Sequence, residues 1–341
     1  MTEIDATGPV RKGDELDWVS LEEHLRAHLD LPDAAMGVHQ FTSGRANLTY
    51  LLDFGDLRLV LRRPPRGDLA PGSHDMQREY RVLSKLWRSF PRAPRALHYG
   101  EDESVIGARF LVEEYRHGVV VSDAVPDALS RHPEAARRIC GALVDAMADL
   151  HQVDVGAAEL GEVGRPEGFA ERQVSGWLNR WQRAAPSDAT PLMEVAGAAL
   201  AEQIPAPNRV SVVHNDLKLD NCQFEPDDPD HVTAIFDWDM ATIGDPLFDL
   251  ANLLMSSQGQ SAWVLSDDEA VERYAVRGCA DMSGLSWYRA FARWRTGVVV
   301  QQMYNRYANG ETADERLAAM GELVPSIAES ALSILHERAT E

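Results

Sequence analysis

The chain has 341 residues, of which 45% are hydrophobic and 26% charged, so it is long enough to bury a core without disulfide or metal support. Its 33 basic and 54 acidic residues give a formal net charge of −21, which argues against a nucleic-acid partner and against an anionic membrane surface. The acidity suits a soluble surface, and it also suits attraction of a cationic small molecule.

The cysteine content and the N-terminal segment both favour a cytoplasmic location. Cys140, Cys222 and Cys279 lie far apart and lack the spacing of metal ligands, which is typical of a reducing cytosol. The first 18 residues are polar and have no apolar core of a signal peptide. No apolar run approaches the ~20 residues of a membrane span. We therefore expect a cytoplasmic protein without membrane contact, and its oligomeric state stays open.

The first third of the chain is predicted to be rich in β-strands. A polar tail over residues 1–13 precedes a helix over 14–31, where apolar residues recur at helical spacing. Further on, alternating apolar residues indicate several short strands and one more helix follows, with Gly- and Pro-rich turn signals at their boundaries. Strands are predicted over 36–41, 48–54, 57–61, 96–100 and 109–115, and the helix over 73–87.

The rest of the chain is predicted to be mainly helical. Helices are predicted over 134–151, 168–184, 189–203 and from 246 onward, including 287–307, with strands over 210–213 and 232–236. This order predicts an α+β, bilobal fold: a small β-rich lobe over 1–115 and a larger helical lobe over 116–341. A cleft between two lobes is the expected ligand site.

The strongest motif lies in the segment 213–221, which reads Val-His-Asn-Asp-Leu-Lys-Leu-Asp-Asn. His214 and Asp216, followed five residues later by Asn221, match the catalytic-loop pattern of kinases. Phosphoryl transfer needs a carboxylate at the attacking hydroxyl, which Asp216 would supply. It also needs oxygen ligands for Mg²⁺, and the Asn221 amide has one. We expect His214 to brace the loop.

A second acidic position follows the next strand. Asp237 comes 16 residues after Asn221, at the strand end within 232–239 where a kinase places its second metal ligand. Either motif alone occurs often by chance, but the two in this order and spacing indicate phosphoryl transfer.

Residues 237–251, Asp-Trp-Asp-Met-Ala-Thr-Ile-Gly-Asp-Pro-Leu-Phe-Asp-Leu-Ala, extend the motif. Together with the loop they resemble the aminoglycoside phosphotransferase/choline kinase family, most closely the branch with the kinase-like domain of acyl-CoA dehydrogenase family members ten and eleven. The likeness covers roughly residues 36–310. It implies a protein-kinase-like fold, Asp216 as the catalytic base, and Asn221 and Asp237 as magnesium ligands. It also implies that Asp249 holds the backbone of the catalytic loop.

Candidate phosphate contacts lie in the small lobe. Between two predicted strands, Ser43 and Asn47 could donate to phosphate oxygens, although the segment also fits an ordinary hairpin turn. Arg62 occupies the third strand, where kinases carry a phosphate-binding lysine, and an arginine can bridge phosphates bidentately. Glu79 on the following helix is its expected ion-pair partner.

Other candidate contacts lie at the connector and in the catalytic loop. The resemblance implies that the backbone around Glu113 and Tyr115 meets the nucleobase, which leaves ATP and GTP undistinguished. Lys218, two residues after Asp216, contacts the transferred phosphate or is a surface lysine; the sequence leaves both open.

These observations predict a magnesium-dependent kinase that moves the γ-phosphate of ATP or GTP to a small-molecule hydroxyl. The interval from Asp237 to Asp249 is too short for a protein-kinase activation segment. An inactive nucleotide-binding protein is the main alternative, and it is disfavoured because Asp216, Asn221 and Asp237 are all present. A thiol enzyme using Cys222 is disfavoured because no basic activator accompanies it. The acceptor stays open between an aminoglycoside-like compound, an amino alcohol and a hydroxyacyl metabolite, and the arginines of 289–295 could serve an anionic one.

Overall fold

The structure is a computed structural model that describes residues 7–42, 47–66, 75–186, 191–278 and 280–338. These residues form two lobes, one built on a β-sheet and one mainly helical, as the sequence predicts. The elements of the small lobe are β1 (Thr7–Gly8), α1 (Trp18–His28), β2 (Gly37–Phe41), β3 (Leu48–Asp53), β4 (Arg58–Arg63), α2 (Met76–Leu86), β5 (Ala96–Gly100) and β6 (Phe110–Glu114).

The strands of the small lobe form one antiparallel sheet in the order β1-β2-β3-β4-β6-β5. Helix α1 covers one face, and helix α2 packs against the other. Strand β4 lies inside the sheet and is buried from Leu59 to Arg63. Because side chains alternate along a strand, Leu59 and Leu61 join the core under α1, while Val60 and Arg62 face the opposite side. The sheet thereby presents Arg62 to the space between the lobes.

The large lobe is mainly helical and contains two small antiparallel sheets, one of three strands and one of two. Its elements are β7 (Val119–Val120), α3 (Asp127–Ser130), α4 (Ala135–His151), α5 (Phe169–Ala184), α6 (Leu192–Glu202), β8 (Ser211–Val213), β9 (Cys222–Glu225), β10 (Asp228–Ile235), β11 (Thr242–Gly244), α7 (Leu247–Ser257), α8 (Asp267–Val276), α9 (Leu285–Ala308) and α10 (Val324–Arg338).

Helix α9 is the centre of the large-lobe core. Trp287 and Trp294 are fully buried, and their indole N–H groups donate to the carbonyl oxygens of Leu200 and Met193 at 3.0 and 2.9 Å. Buried tryptophans need such acceptors, so these bonds fix the position of α9 against α6. Helix α7 packs against α9 and carries the residues that reach the catalytic loop.

Several boundaries differ from the sequence prediction. Residues 1–13 are not entirely a loose tail, because Thr7–Gly8 pairs with β2, Thr7 lying opposite Phe41. Helix α1 begins later than predicted, because the Asp17 side chain caps it by accepting from Ser20 N at 3.0 Å. Strands β7, β9 and β11 were not predicted; each has two to four residues, too few for a hydrophobic period to identify.

The C-terminal segment corrects one expectation. Glu315–Glu337 is long and apolar enough to cross a membrane by length and composition, so the prediction of no such segment was wrong. In the structure, α10 packs against α9 and α6. It buries one stripe at amphipathic-helix spacing: Val324, Ala328, Ala331 and Leu335.

The close approach of Gly118 to β9 leads to a prediction about the connector. A Cβ at Gly118 would lie 2.6 Å from Thr233 Oγ1 and 2.9 Å from the Phe224 carbonyl oxygen. We expect Gly118→Ala to lower the free energy of unfolding by about 1–3 kcal/mol, measured by urea denaturation, because the backbone oxygen cannot move aside cheaply. The control is Gly161→Ala, where no described atom lies within 4 Å of the added Cβ. Equal losses in both variants would contradict this account.

Candidate active site

The backbone of the catalytic loop is held by one buried carboxylate. Strand β8 ends at Val213, and the next two backbone N–H groups, of His214 and Asn215, donate to Asp249 Oδ2 and Oδ1 at 2.7 and 2.8 Å. Asn215 has φ 74°, a left-handed conformation that costs a non-glycine residue energy. The two bonds from Asp249, in the first turn of α7, hold the strained residue in place.

Asp249 is in turn held by residues from α4 and α8. His151 Nε2 lies 3.2 Å from Asp249 Oδ2, and the other ring nitrogen lies 2.8 Å from the Tyr274 hydroxyl. Burial raises the pKa of Asp249, but the hydrogen bond and charge of His151, with the bond from His214 N, hold it below its usual value. The sequence analysis missed His151 and Tyr274, because both are distant in sequence and lie in ordinary helical patterns.

Asp216 has one oxygen engaged and one left over. Its Oδ2 accepts from Lys218 Nζ at 2.8 Å and from Asn221 Nδ2 at 3.0 Å. Asn221 Nδ2 also donates to the Asp216 carbonyl at 2.7 Å, which closes the loop on itself. These contacts use only Oδ2, so Oδ1 is the oxygen able to accept a proton. The ammonium of Lys218 has a raised pKa: burial lowers it, but Asp216 outweighs burial.

His214 links the catalytic loop to the strand end that carries Asp237. Its Nδ1 lies 3.3 Å from Asp216 N, and its Nε2 lies 2.9 Å from the Phe236 carbonyl. A backbone N–H only donates and a carbonyl only accepts, so Nε2 carries the ring proton. The ring packs against that of Trp238 in a tilted arrangement, with centroids 4.5 Å apart. Both polar ring atoms are used in this link, as a bracing role requires.

Arg62 joins the two lobes. Its Nη1 contacts Glu79 Oε1 on α2, so the predicted pairing is present, and its Nη2 donates to Asp237 Oδ1 at 2.9 Å. Trp238 N also donates to Glu79 Oε1 at 3.2 Å. Burial lowers the pKa of Arg62, but Glu79, Glu113 and Asp237 together raise it well above the usual value. Asp237 shows the converse: burial raises its pKa, and Arg62 brings it below the ordinary value, so it is ionised.

A cavity of about 520 Å³ lies between the lobes. Its lining includes seven of the predicted residues: Asn47, Arg62, Glu113, Tyr115, Lys218, Asn221 and Asp237. Glu79 is not part of this lining. It is fully buried behind Arg62, so it would act on a ligand indirectly, by orienting the Arg62 side chain. Asp216 does not line the cavity itself but contacts Lys218 and Asn221, which do, and His214 and Asp249 also lie outside the lining. Ser43 lies outside the described residues.

The side chain of Glu113 also faces the cavity, whereas the resemblance implies a role only for the connector backbone at this position. It lies opposite Val60 in the β4–β6 pairing, and both residues face the cavity. Its side chain is almost fully buried, and within the described residues Oε2 has no hydrogen-bond partner. Burial raises the pKa of Glu113 to about 7, although Arg62 opposes the change. The β4 register could have indicated this placement, but only with the sheet order known.

The remaining candidate, Cys222, is excluded as a nucleophile. It begins β9 and is fully buried, and burial raises the pKa of its thiol. A thiol that stays protonated and inaccessible is unreactive.

The burial of Glu113 predicts a pH dependence of stability. Folding raises its pKa from 4.5 to about 7, so the folded state binds more protons in that window, and stability falls as pH rises from about 4.5 to 7. Glu113→Gln should reduce this slope, measured by thermal unfolding across pH, and a remaining slope is expected because burial also raises the pKa of Glu79 to about 8. Glu114→Gln, the neighbour paired with Arg116, is the matched control and should keep the wild-type slope. An unchanged slope in Glu113→Gln would overturn the assignment.

Solved structures with a similar fold include phosphotransferases. A Ralstonia eutropha protein described as a candidate aminoglycoside phosphotransferase matches 95% of this chain and 99% of its own, at TM-score 0.79 and 25% identity. A thermostable mutant of aminoglycoside phosphotransferase APH(4)-Ia, solved with AMP-PNP and hygromycin B, matches 93% of this chain and 98% of its own at TM-score 0.60 and 17% identity. These neighbours confirm the predicted kinase-like fold.

Sequence relatives agree with the branch suggested by residues 237–251. Human acyl-CoA dehydrogenase family member 11 is 30% identical over 341 residues, and mouse member 10 is 30% identical over 345 residues. These alignments cover 94% and 96% of this chain but only 43% and 32% of the relatives, so the chain spans less than half of their length. The family model described as "Phosphotransferase enzyme family" matches residues 37–291. The chain therefore belongs to the phosphotransferase enzyme family.

Proposed function

We propose that the chain is a magnesium-dependent kinase that transfers the γ-phosphate of ATP or GTP to a hydroxyl of a small molecule. The observation that carries this proposal is the cavity between the lobes, where Arg62, Lys218, Asn221 and Asp237 converge beside Asp216. Cations, oxygen ligands and an oriented carboxylate are the groups that phosphoryl transfer requires. An inactive protein would not need Asp216 held in this way.

The nucleotide would lie along the cavity with its phosphates toward Arg62. Val60, Phe41 and Phe236 supply apolar walls for a base and ribose, and Tyr115 marks the connector end. Arg62 is already oriented by Glu79, so binding of an anion costs little reordering. Family membership and the AMP-PNP complex of a fold neighbour support a nucleotide as one substrate.

The donor set at the large-lobe side of the cavity fits Mg²⁺. Asp237 is ionised. The hydrogen bonds of the Asn221 side chain to Asp216 are donated by its amide nitrogen, so the amide oxygen of Asn221 is available as a ligand. Mg²⁺ prefers such oxygen ligands and completes its shell with water and phosphate oxygens. When bound, it would neutralise charge on the phosphates.

The chemistry of this chain's own residues follows from the geometry. Asp216 Oδ1 accepts the proton of the acceptor hydroxyl as its oxygen forms a bond to the γ-phosphorus, and the bond from the γ-phosphorus to the β-bridging oxygen breaks to release the nucleoside diphosphate. The Lys218 ammonium donates a hydrogen bond to Asp216 Oδ2 and lines the same cavity. From there it can also donate to the oxygens of the phosphate that is transferred.

Asp216→Asn should lower kcat about 10²–10⁴-fold while leaving Mg·AMP-PNP affinity nearly unchanged, because an amide cannot take the proton. Nucleoside diphosphate release and calorimetric titration would measure the two effects. Asp227→Asn changes an exposed residue that pairs with Arg131; it is the control and should behave as wild type. Near-normal single-turnover transfer by Asp216→Asn would remove Asp216 from this role.

Arg295 on α9 favours an anionic acceptor. Its guanidinium lies 5.3 Å from the ring centroid of Phe248 and 5.5 Å from that of Trp177, whose ring Arg180 also approaches at 4.4 Å. Among the described residues, no carboxylate lies within 4 Å of Arg180 or Arg295, whereas the neighbouring Arg289 is paired with Asp267.

Arg295 is thus a partly buried cation near the catalytic loop, since Phe248 directly precedes Asp249. Burial lowers the pKa of Arg295 to about 10, although Asp216 and Asp249 oppose this, so it is charged at neutral pH. Such a partly buried cation is stabilised by a nearby anion. An acceptor with a carboxylate or phosphate, such as a hydroxyacyl metabolite, suits this site better than an aminoglycoside or amino alcohol, despite the net charge of the chain.

Arg295→Ala should raise KM for an anionic hydroxylated acceptor about 10–100-fold and leave KM for the nucleotide unchanged, because a charge-assisted contact is lost only on the acceptor side. A coupled assay for nucleoside diphosphate, run over a panel of hydroxy acids and amino alcohols, would measure both constants. Arg293→Ala is the matched control on the same helix, since Arg293 contacts Gln258 instead. If only amino alcohols are phosphorylated and Arg295→Ala changes nothing, the acceptor assignment is wrong, while the kinase proposal stands.

The cytosolic location is kept as a prediction from the sparse cysteines. Cys140 and Cys222 are free and buried, as a reducing compartment permits, and Cys279 lies outside the described residues.

A further inference from the structure

Three histidines meet on the outer side of the small lobe, away from the catalytic residues. His24 and His28 are one helical turn apart on α1, so they share a face, and His98 lies on the edge strand β5 beneath them. Their ring centroids are 4.2, 4.8 and 5.0 Å apart, and one nitrogen from each ring lies within 4.8 Å of the others. The sheet separates this cluster from the cavity, because His98 pairs with Val112, which faces the core under α1.

The nitrogens are arranged as ligands rather than as cations. His28 Nδ1 lies 2.7 Å from the His24 carbonyl, which only accepts, so this nitrogen carries the proton and Nε2 has the lone pair. His24 Nε2 and His98 Nε2 are 2.9 Å apart, so at most one of them is protonated in the neutral pair. In metal-bound histidines, the ring N–H that does not face the metal commonly donates a hydrogen bond to a carbonyl oxygen, as that of His28 does here.

We propose that His24, His28 and His98 form a site for a borderline divalent metal, with Zn²⁺ as the expected ion and solvent as the fourth ligand. Three imidazoles with an open position make a known zinc geometry. Zn–N bonds of about 2.0–2.1 Å place tetrahedral ligand nitrogens about 3.3 Å apart, so His24 and His98 need to separate by a few tenths of an ångström. His28 is exposed and leaves the fourth position open to solvent.

His24 and His28 belong to α1, and His98 belongs to β5. The site would link α1 to the edge strand β5 and so fasten the N-terminal helix onto the sheet.

The test uses the full chain, freed of metal by chelator and kept in excess Mg²⁺ so that the Asn221 and Asp237 oxygens are occupied. Titration with Zn²⁺ should show one tight site by calorimetry, and Co²⁺ should give the visible absorption of tetrahedral imidazole coordination. Zn²⁺ should also raise the melting temperature, because it binds only the folded cluster.

His28→Ala tests the assignment without disturbing the core, since His28 is exposed. It should weaken Zn²⁺ binding at least about tenfold and abolish the rise in melting temperature. His39→Ala, an exposed histidine on β2 outside the cluster, should keep the wild-type affinity. The proposal falls if Zn²⁺ does not bind in a 1:1 ratio, if Co²⁺ shows only octahedral absorption, or if His28→Ala and His39→Ala bind Zn²⁺ equally.

Discussion

The arrangement of the cleft depends on one buried guanidinium. Arg62 extends from the central strand of the small lobe, contacts Glu79 on α2 and reaches Asp237 at the end of β10 in the large lobe. A buried ion of this kind is stable only when its partners are well placed, and removal of one partner leaves an uncompensated charge. The contact therefore fixes three elements relative to each other at the point where the phosphates are proposed to bind. Because the proposed metal would share Asp237 with Arg62, metal binding would be coupled to the relative position of the lobes.

The large lobe holds a catalytic loop whose backbone is strained. Asn215 and Asp237 both have left-handed backbone conformations, at φ 74° and 68°. Asp249 secures the first through two backbone N–H groups, and His214 ties the loop to the residue before the second. Asp249 itself depends on α7, which packs on the tryptophan-rich helix α9. The core of the large lobe thus stabilises the position of Asp216 through a chain of contacts.

The motifs that are local in sequence could be predicted, and the contacts between distant segments could not. The spacing of His214, Asp216 and Asn221 identified the loop, and strand alternation placed Arg62 on the face that meets Glu79. The sequence did not indicate that Arg62 also reaches Asp237, 175 residues away, because that contact depends on how the lobes close. His151 and Tyr274 were missed for the same reason. Glu113 was assigned to the connector backbone, whereas the sheet register turns its carboxyl group toward the cavity. Strands of two to four residues, such as β7, lack a period that sequence patterns can reveal.

The central claim is that one cavity between the lobes binds a metal–nucleotide complex through Arg62, Asn221 and Asp237. A crystal structure with Mn²⁺ and AMP-PNP, with the metal located by its anomalous scattering, tests this most directly. The account predicts an Mn²⁺ peak bonded to the Asp237 carboxylate and the Asn221 amide oxygen, with phosphate oxygens within hydrogen-bond distance of Arg62. A nucleotide bound outside this cavity, or a metal peak that touches neither Asp237 nor Asn221, would contradict it.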